Sequence, residues 1–321
     1  LAGSGFLLLA GFNVLVIRSV TAPLRQLSRS AGRIAQGDLD TPLPAIQRRD
    51  EIGQLVQAFQ SMQLGLADYI QRLSTETALR ERMASELSIA HDLQMAILPR
   101  ELPQLSGLEV AGCCRPAREV GGDLYDVRVL AGGRLFFVIG DVSGKGVPAA
   151  LYMAITMSLT RAVVQEQAGP AEVLTRINRE LAHGNDTCMF VTLFCGMLDS
   201  ASGEICYANA GHNPPVLMRA DGTACLLEIE PCIAAGFLDD YQYREAHCRL
   251  EKGATLLLYT DGVTEAQDAR GDFFGEQRLL DVAVADVGTA EQLVAALGSA
   301  VERFADGADQ ADDITMLVLR R

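Results

Sequence analysis

The chain has 321 residues, a formal net charge of −14 at pH 7 and a hydrophobic content of 49%. This length is sufficient for one full-sized core together with smaller modules. An acidic surface repels the phosphate backbone of nucleic acids and argues against a nucleic-acid-binding protein. The eight cysteines form no C-x-x-C pair and lie mostly in apolar runs. They indicate buried free thiols in a reducing compartment and argue against a zinc site.

The first 17 residues carry no charge, and Asn13 is their only strongly polar side chain. A stretch of about 17 to 25 such residues can span a bilayer, so we interpret residues 1–17 as the end of a transmembrane helix whose start lies upstream. The arginines that follow are Arg18, Arg25, Arg29 and Arg33. They predict that the rest of the chain lies in the cytoplasm, at the inner membrane. A buried helix or a signal-peptide remnant is the alternative.

Two helical segments with heptad spacing come next. Their apolar positions are Leu24, Leu27, Ala31 and Ile34, then Ile52, Leu55, Phe59, Met62, Leu66, Tyr69 and Leu73. The spacing predicts a coiled-coil or bundle seam, although a plain amphipathic hairpin would show it too. Pro23, the tripeptide at Gly37–Leu39 and the tetrapeptide at Asp50–Gly53 make residues 18–71 resemble a HAMP domain. The resemblance implies a parallel homodimer that couples a membrane helix to a cytoplasmic output domain.

The helical pattern continues through residues 72–104. Polar residues interrupt the apolar seam between Glu76 and Arg82. The seam resumes at Met83, Leu87, Ala90 and Ile97. It stops at Pro99, because proline cannot continue a helix. We interpret this segment as a helical linker that carries register or rotation between modules.

After Pro103 short β-rich runs alternate with glycine-rich turns, which indicates an α+β fold of packed sheets with helices outside. Gly132-Gly133 and Asp221-Gly222 are candidate hairpin turns. Helices are predicted over residues 148–164, 171–183, 276–285 and 290–304.

Aspartates flank several of the predicted strands. They are Asp123, Asp141, Asp261 and the adjacent pair Asp312 and Asp313. A single aspartate at a strand end is usually a turn former. Aspartates from these four strand ends would repel one another if they converged at one edge of a sandwich, unless cations lay between them. Carboxylate oxygens of this kind are ligands that suit Mg²⁺ or Mn²⁺.

Five short motifs occur in order: PAREVGGDLYD, GDVSGKGVPAAL, ANAGHNPP, YTDGVTEA and DDIT. Together they resemble the SpoIIE/RsbU family of PP2C-type (PPM) phosphatases, and the preceding ELSIAHDLQMAILPRELP resembles the linker of that family. The resemblance covers about residues 86–321. It implies a PP2C-like αββα sandwich over residues 105–321 and the activity of a metal-dependent protein serine/threonine phosphatase.

The resemblance also implies a site for two divalent cations, Mn²⁺ or Mg²⁺. Asp141 would bridge them with help from the Val142 carbonyl, and Asp261 and Asp312 would bind the second. Asp123 would bind a cation directly or hold a water on it. Asp313 ranks below Asp312 because related enzymes often have asparagine there. The supporting residues are Gly122 and Asp126 in one loop, with Gly140, Gly144 and Gly146 allowing tight turns beside the metals.

The implied reaction is direct hydrolysis, in which two cations activate a water that attacks phosphorus. The absence of a C-x5-R loop agrees with a route that needs no covalent phosphoenzyme. Lys145 is predicted either to attract phosphate or to be a solvated loop residue. His212 is predicted either to act as a general acid or to hold a loop shape, and the neighbouring Pro214-Pro215 favours the loop role. The resemblance implies a phosphorylated STAS-type anti-sigma-factor antagonist as substrate.

Two other functions fit parts of the sequence. IAHDLQMAILP resembles the phosphoacceptor box of sensor histidine kinases, with His91 as the acceptor, but no ATP-binding boxes follow it. An inactive pseudophosphatase acting as a binding module is the second alternative. The complete set Asp123, Asp141, Asp261 and Asp312 argues against it.

Overall fold

A computed structural model of the protein describes residues 2–40, 42–43, 49–164, 168–285 and 288–321. The chain divides into two structural units, Leu1–Ser85 and Glu86–Arg321. The C-terminal unit therefore begins within the predicted linker, ahead of residue 105.

Helices form the N-terminal unit. Helix α1 (Ala2–Val16) is followed by a π-helical turn (Ile17–Thr21), by α2 (Ala22–Ala35) and by the first part of α3 (Glu51–Ile97). Pro23 lies in the first turn of α2, directly after the π-helical turn, and the backbone is helical on both sides of it. The helix α3 is continuous over 47 residues, so the predicted second HAMP segment and the linker are one helix.

The predicted heptad positions differ in burial between the two helices. Leu27 and Ile34 of α2 are buried within the unit. Leu55, Met62 and Tyr69 of α3 are exposed in the single chain. An apolar row of this kind is available to a second copy of the helix.

Part of the predicted connector between these helices lies outside the described residues, namely 41 and 44–48. Its beginning has a defined conformation. Gly37 has φ +92°, which L side chains rarely adopt, and its N–H donates to the Ile34 carbonyl. The Arg33 guanidinium pairs with the Asp38 carboxylate.

The side chains of Phe6, Leu9 and Phe12 on α1 are all more than half exposed. This helix is apolar but has 15 residues. Among the helices of the described residues, α4 (Val147–Val164) is the one that is long and apolar enough to cross a membrane. It packs against β3 and α5 of the C-terminal unit, and 33% of it is buried. A core helix of a soluble domain can pass the same test.

The strands of the C-terminal unit form two antiparallel sheets. One sheet has the order β1-β10-β9-β6-β7 and the other β2-β3-β4-β5-β8. The strands of the first sheet are β1 (Glu109–Arg115), β6 (Val216–Met218), β7 (Ala224–Leu226), β9 (Thr255–Tyr259) and β10 (Ile314–Arg320). Those of the second are β2 (Leu124–Val129), β3 (Arg134–Val142), β4 (Val191–Asp199), β5 (Glu204–Ala210) and β8 (Ala246–Arg249).

Alternating side chains of β10 show how the layers stack. Leu317 and Leu319 belong to the core shared with the second sheet, whereas Met316 and Val318 belong to the core beneath the outer helices. The helices α7 (Gly275–Ala283) and α8 (Ala290–Ala305) cover the first sheet. The helices α4 and α5 (Pro170–Ala182) cover the second sheet. The unit is an αββα sandwich, which confirms the predicted fold class.

Both predicted hairpin turns join paired strands. Gly132 and Gly133, with φ +78° and +77°, lie between β2 and β3, and Gly222, with φ +83°, lies between β6 and β7. The four predicted helices of this unit are present within two residues of their predicted ends. The short strands β6, β7 and β8 were not predicted.

All eight cysteines are free, as predicted. Their predicted burial is wrong for most of them, since Cys188 is exposed and Cys195 alone is fully buried. Six of the cysteines lie in strands, where alternate side chains reach the surface, and Cys188 and Cys232 lie in loops.

Candidate active site

Strand pairing within the second sheet brings two aspartates together. In the register of β2 and β3, Leu124 lies opposite Gly140, so Asp123 reaches the position beside Asp141. Asp141 itself lies within β3, one residue before its end. Asp123 is 2% exposed and its Oδ2 accepts a hydrogen bond of 2.8 Å from the Thr260 hydroxyl.

The first sheet supplies the other aspartates. Asp261 begins the short helix α6 (Asp261–Thr264) directly after β9. Asp312 and Asp313 directly precede β10, which pairs with β9. The Thr260 N–H donates to the Thr315 carbonyl, so the two chain segments meet at one end of the sandwich.

The pKa values of these groups show that the carboxylates influence one another. Burial, followed by the charge of Asp141, raises the pKa of Asp123 well above its ordinary value. Burial, followed by the charges of Asp261 and Asp312, raises the pKa of Asp141 to about 7. Burial, then Glu265 and Asp312, raise the pKa of Asp261. The structure therefore brings Asp123, Asp141, Asp261 and Asp312 into one cluster of repelling charges.

Asp313 faces the loop before Asp123 and holds its backbone. Oδ1 accepts the N–H of Ala117 at 2.7 Å, and Oδ2 accepts the N–H of Gly122 at 2.6 Å and that of Asp123 at 3.4 Å. With both oxygens engaged in this way, Asp313 fits a role in positioning the loop. Asp312, its neighbour, is half-exposed and free of such contacts with the loop backbone.

Close backbone approaches explain two of the glycines. A Cβ on Gly122 would lie 2.9 Å from the Val142 carbonyl oxygen, and a Cβ on Gly262 would overlap the Asp313 carbonyl. Gly144 has φ +88°, as a tight turn requires. The predicted turn at Gly140 is wrong. This glycine lies in β3, where a Cβ would be 2.6 Å from the Thr192 carbonyl of β4.

Lys145 lies at the edge of the carboxylate cluster. Its ammonium group is 2.8 Å from Asp312 Oδ2 and donates to the Ala311 carbonyl at 2.6 Å. The side chain is 42% exposed. The positive charge of the Lys145 ammonium group compensates the negative charge of Asp312 in this structure. Lys145 is therefore not simply a solvated loop residue.

His212 is buried in the loop after β5. Its N–H and C=O bond the Asn209 side chain at 3.1 Å each, and its Nδ1 lies 2.9 Å from the Thr192 hydroxyl. Burial lowers the pKa of His212 to about 4. A neutral imidazole with these contacts supports the loop role rather than general acid catalysis.

Asp126 points away from the other aspartates. Its Oδ2 accepts hydrogen bonds of 2.9 Å from both Arg128 and Arg161, and it is 3% exposed. Arg161 also donates to the Ile97 carbonyl at the end of α3. Asp126 therefore fastens β2 to Arg161 of α4, and Arg161 in turn links α4 to the end of α3.

Gln94, which lies in α3 within the C-terminal unit, was not predicted as a site residue. Its amide nitrogen donates to the Gly121 carbonyl at 2.6 Å, and its amide oxygen accepts the Gly121 N–H at 3.0 Å. The side chain is 6% exposed. His91, one turn earlier, approaches the Glu119 carbonyl at 2.7 Å. In the sequence, Gln94 could have been recognised as a polar residue on the apolar stripe of the helix that includes Ala90 and Ile97.

The donor atoms at this edge suit hard divalent cations. Neighbouring carboxylates contribute to the raised pKa values of Asp123, Asp141 and Asp261, and this repulsion is relieved when cations lie among the carboxylates. The Val142 carbonyl faces Gly122 in the same place, where a larger residue would not fit. The residues present therefore fit the metal centre that the sequence predicts.

Comparison with known proteins agrees with this geometry. Residues 131–321 match the family model described as Stage II sporulation protein E (SpoIIE), and residues 15–68 match that of the HAMP domain. The phosphoserine phosphatase RsbU of Bacillus subtilis is 30% identical over 80% of this chain and 76% of its own length. Protein IcfG of Synechocystis is 30% identical over 96% of this chain and 52% of its own length.

One solved structure is that of the RsbU and RsbW domains of Rv1364c from Mycobacterium tuberculosis. It is 28% identical to this chain, with a TM-score of 0.58, and the match covers 67% of this chain and 60% of that one. The chain thus spans about half of IcfG and three-fifths of the Rv1364c chain. The C-terminal unit has the PP2C-type fold. The chain belongs to the SpoIIE family and carries an N-terminal HAMP domain.

The raised pKa of Asp141 predicts a pH-dependent stability of the metal-free protein. The folded state holds this proton up to about pH 7, whereas the unfolded chain releases it near 3.8. Stability in EDTA should therefore fall as pH rises from about 4 to 7 and then level off. Asp141→Asn should flatten this fall, as measured by calorimetric melting. Equal slopes for wild type, Asp141→Asn and the exposed control Asp240→Asn would contradict the assignment.

The hydrogen bonds of Gln94 predict a second effect. Gln94→Ala removes both bonds to Gly121, each worth about 1 kcal/mol, so phosphatase turnover should fall about tenfold or more. His91→Ala is the matched control, because its partner is two residues further from Asp123, and it should retain turnover within a few-fold. Turnover would be measured against Mn²⁺ concentration. Equal losses in both variants would show that Gln94 does not position the Asp123 loop.

Proposed function

We propose that this protein is a metal-dependent protein serine/threonine phosphatase of a membrane signalling system. The observation that carries the proposal is the convergence of Asp123 and Asp141 from one sheet with Asp261 and Asp312 from the other. Membership of the SpoIIE family supports the same chemistry.

The roles of the residues follow from their positions. Asp141, Asp261 and Asp312, with the Val142 carbonyl, would hold two divalent cations, Mn²⁺ or Mg²⁺, and Asp123 would bind one directly or through water. Such cations supply positive charge to the phosphoryl oxygens and a water of lowered pKa. Asp313 fixes the backbone of the Asp123 loop.

Lys145 has two possible partners in the reaction. In the structure its ammonium group neutralises Asp312. A cation bound by Asp312 would release Lys145, whose flexible chain could then contact the phosphate of the substrate. Lys145 would thus neutralise Asp312 in the free site and contact the phosphate in the substrate complex.

The proposed substrate is a phosphorylated STAS-type protein, an antagonist of an anti-sigma factor. Similarity to the phosphoserine phosphatase RsbU of Bacillus subtilis supports this substrate class. The proposed location is the inner membrane, held by the apolar helix α1, with the HAMP and phosphatase domains in the cytoplasm. The arginines that follow α1 support this orientation.

The alternative of a sensor histidine kinase is not favoured. His91 lies in α3 and contacts the Glu119 carbonyl, close to the carboxylate cluster rather than to a nucleotide site. The downstream residues fold as a PP2C-type sandwich. A pseudophosphatase is not favoured either, because all four aspartates are present and brought together.

The N-terminal modules are proposed to control the phosphatase through parallel helices. Leu55, Met62 and Tyr69 present an apolar row that a second copy can cover. The helix α3 continues from this row to Gln94, whose amide holds the Asp123 loop. A rotation of α3 would therefore alter the support of the loop, which gives two states of the site with different activity.

The metal assignment predicts the effect of removing single carboxylates. Asp141→Asn and Asp261→Asn should each lower Mn²⁺-dependent turnover at least about a hundredfold, because each removes a charged ligand. The measurement is phosphate release from a phosphorylated STAS protein and from a phosphoserine peptide, with circular dichroism to confirm folding. Asp240→Asn should retain activity. Full turnover in EDTA, or in both ligand variants, would refute the two-metal site, whereas activity on the peptide alone would refute only the substrate.

The control hypothesis predicts a dependence on helical phase. Insertion of one, two, three or four residues between Gln71 and Arg82 rotates the two ends of α3 by about 100° per residue. Turnover should vary with the phase of the insertion, and deletion of residues 1–80 should change basal turnover. If all insertions and the deletion keep the same turnover and metal dependence, α3 is a passive tether.

A further inference from the structure

A second group of metal-ligating side chains lies on the outer part of the second sheet. Among the residues that the structure describes, Cys206, Glu245 and His247 form the one group of three whose ligand atoms all lie within 4.8 Å of one another. None of them belongs to the carboxylate cluster, and the proposed phosphatase reaction uses none of them.

Strand register places these side chains together. Cys206 of β5 lies directly opposite His247 of β8 in the antiparallel pair, so both side chains point from the same face of the sheet. Glu245 comes two positions before His247 and therefore shares its face. Two of these residues come from paired strands, and Glu245 directly precedes β8.

The surroundings leave room for the Glu245 carboxylate. A Cβ on Gly169 would overlap Glu245 Oε1, so the glycine allows the carboxylate to lie on the backbone before α5. Glu245 also lines a cavity of about 430 Å³ together with Tyr207 and Tyr243. Glu245 and His247 are exposed and Cys206 is half-buried, which lets an ion enter from solvent.

The thiol has an unusual environment for a surface cysteine. Burial, followed by the hydrogen bond with Glu245, raises the pKa of Cys206 to about 12. Nearby Cys195 is fully buried, and its thiol donates to the Pro170 carbonyl.

We propose that Cys206, Glu245 and His247 form a zinc site, with water in the fourth position, although the spacing of the cysteines in the sequence argued against one. One sulfur, one imidazole nitrogen and one carboxylate oxygen are the donors that Zn²⁺ takes in proteins, whereas Mg²⁺ and Mn²⁺ prefer oxygen alone. Tetrahedral zinc separates its ligand atoms by about 3.5 Å, which small rotations of the exposed Glu245 and His247 provide. Binding forms the zinc–sulfur bond and releases the Cys206 proton to solvent.

Zinc binding would affect the edge strand of the second sheet. The strand β8 has four residues and its partner in the sheet is β5. A cation that joins Cys206 of β5 to His247 of β8 would fasten this short strand. Because the ligands come together in the folded state, zinc should stabilise the C-terminal unit.

The test uses Co²⁺ as a spectroscopic probe of the full-length chain. A thiolate ligand gives bound Co²⁺ a sulfur-to-metal charge-transfer band in the near ultraviolet, whereas the all-oxygen carboxylate cluster gives none. Wild-type protein should develop this band with one equivalent of Co²⁺ per chain, and Zn²⁺ should abolish it. Cys206→Ser should lose the band, and His247→Gln should weaken Co²⁺ binding at least about tenfold.

Cys248→Ser is the matched control, because Cys248 is the next residue of β8 and points to the opposite face. This variant should keep the band, and Zn²⁺ should raise the melting temperature of wild type and Cys248→Ser but not of Cys206→Ser. Circular dichroism confirms that each variant is folded. Absence of the band in wild type, its persistence in Cys206→Ser, or its equal loss in Cys248→Ser would overturn the proposal.

Discussion

Repulsion among buried carboxylates is the constraint around which one end of this sandwich is organised. Asp123 and Asp141 are adjacent because β2 and β3 pair in one register, and Asp261 arrives through the pairing of β9 with β10. Burial, together with the charges of neighbouring carboxylates, raises their pKa values, so the charged arrangement is unfavourable without cations. Sheet pairing and core packing must therefore hold the groups in place, since the groups themselves would separate.

The loop before Asp123 shows how neighbouring residues offset this cost. Asp313 accepts backbone N–H groups of the loop, and Gln94 bonds both polar groups of Gly121. A Cβ on Gly121 would overlap the Asp313 carboxylate, so the loop needs glycine where the supports approach most closely. Steric crowding thus explains why both positions 121 and 122 are glycine.

Much of the sandwich and of its carboxylate cluster could be predicted from the sequence. The strands β3, β9 and β10 are long apolar runs, and each lies beside an aspartate whose position the strand determines. The strands β6 to β8 have three or four residues, too few to show a period.

Contacts between distant parts of the chain could not be predicted. Gln94 bonds a backbone 27 residues away, and its side chain alone does not indicate that partner. Gly140 resembles a turn glycine but lies in β3, where a Cβ would be too close to β4. The group of Cys206 and His247 has no motif spacing, since strand register rather than sequence distance brings the ligands together.

The large sequence separation between Asp313 and the loop that it holds affects the order in which parts of the protein can fold during synthesis. The bond of Asp313 to the Ala117 N–H joins positions 196 residues apart. A nascent chain that already contains Asp123, Asp141 and Asp261 still lacks Asp312, the clamp of Asp313 and the strand β10 that lies between β1 and β9. The HAMP helices emerge from the ribosome long before that strand. The pairing proposed for these helices would therefore become possible before the proposed active site is complete.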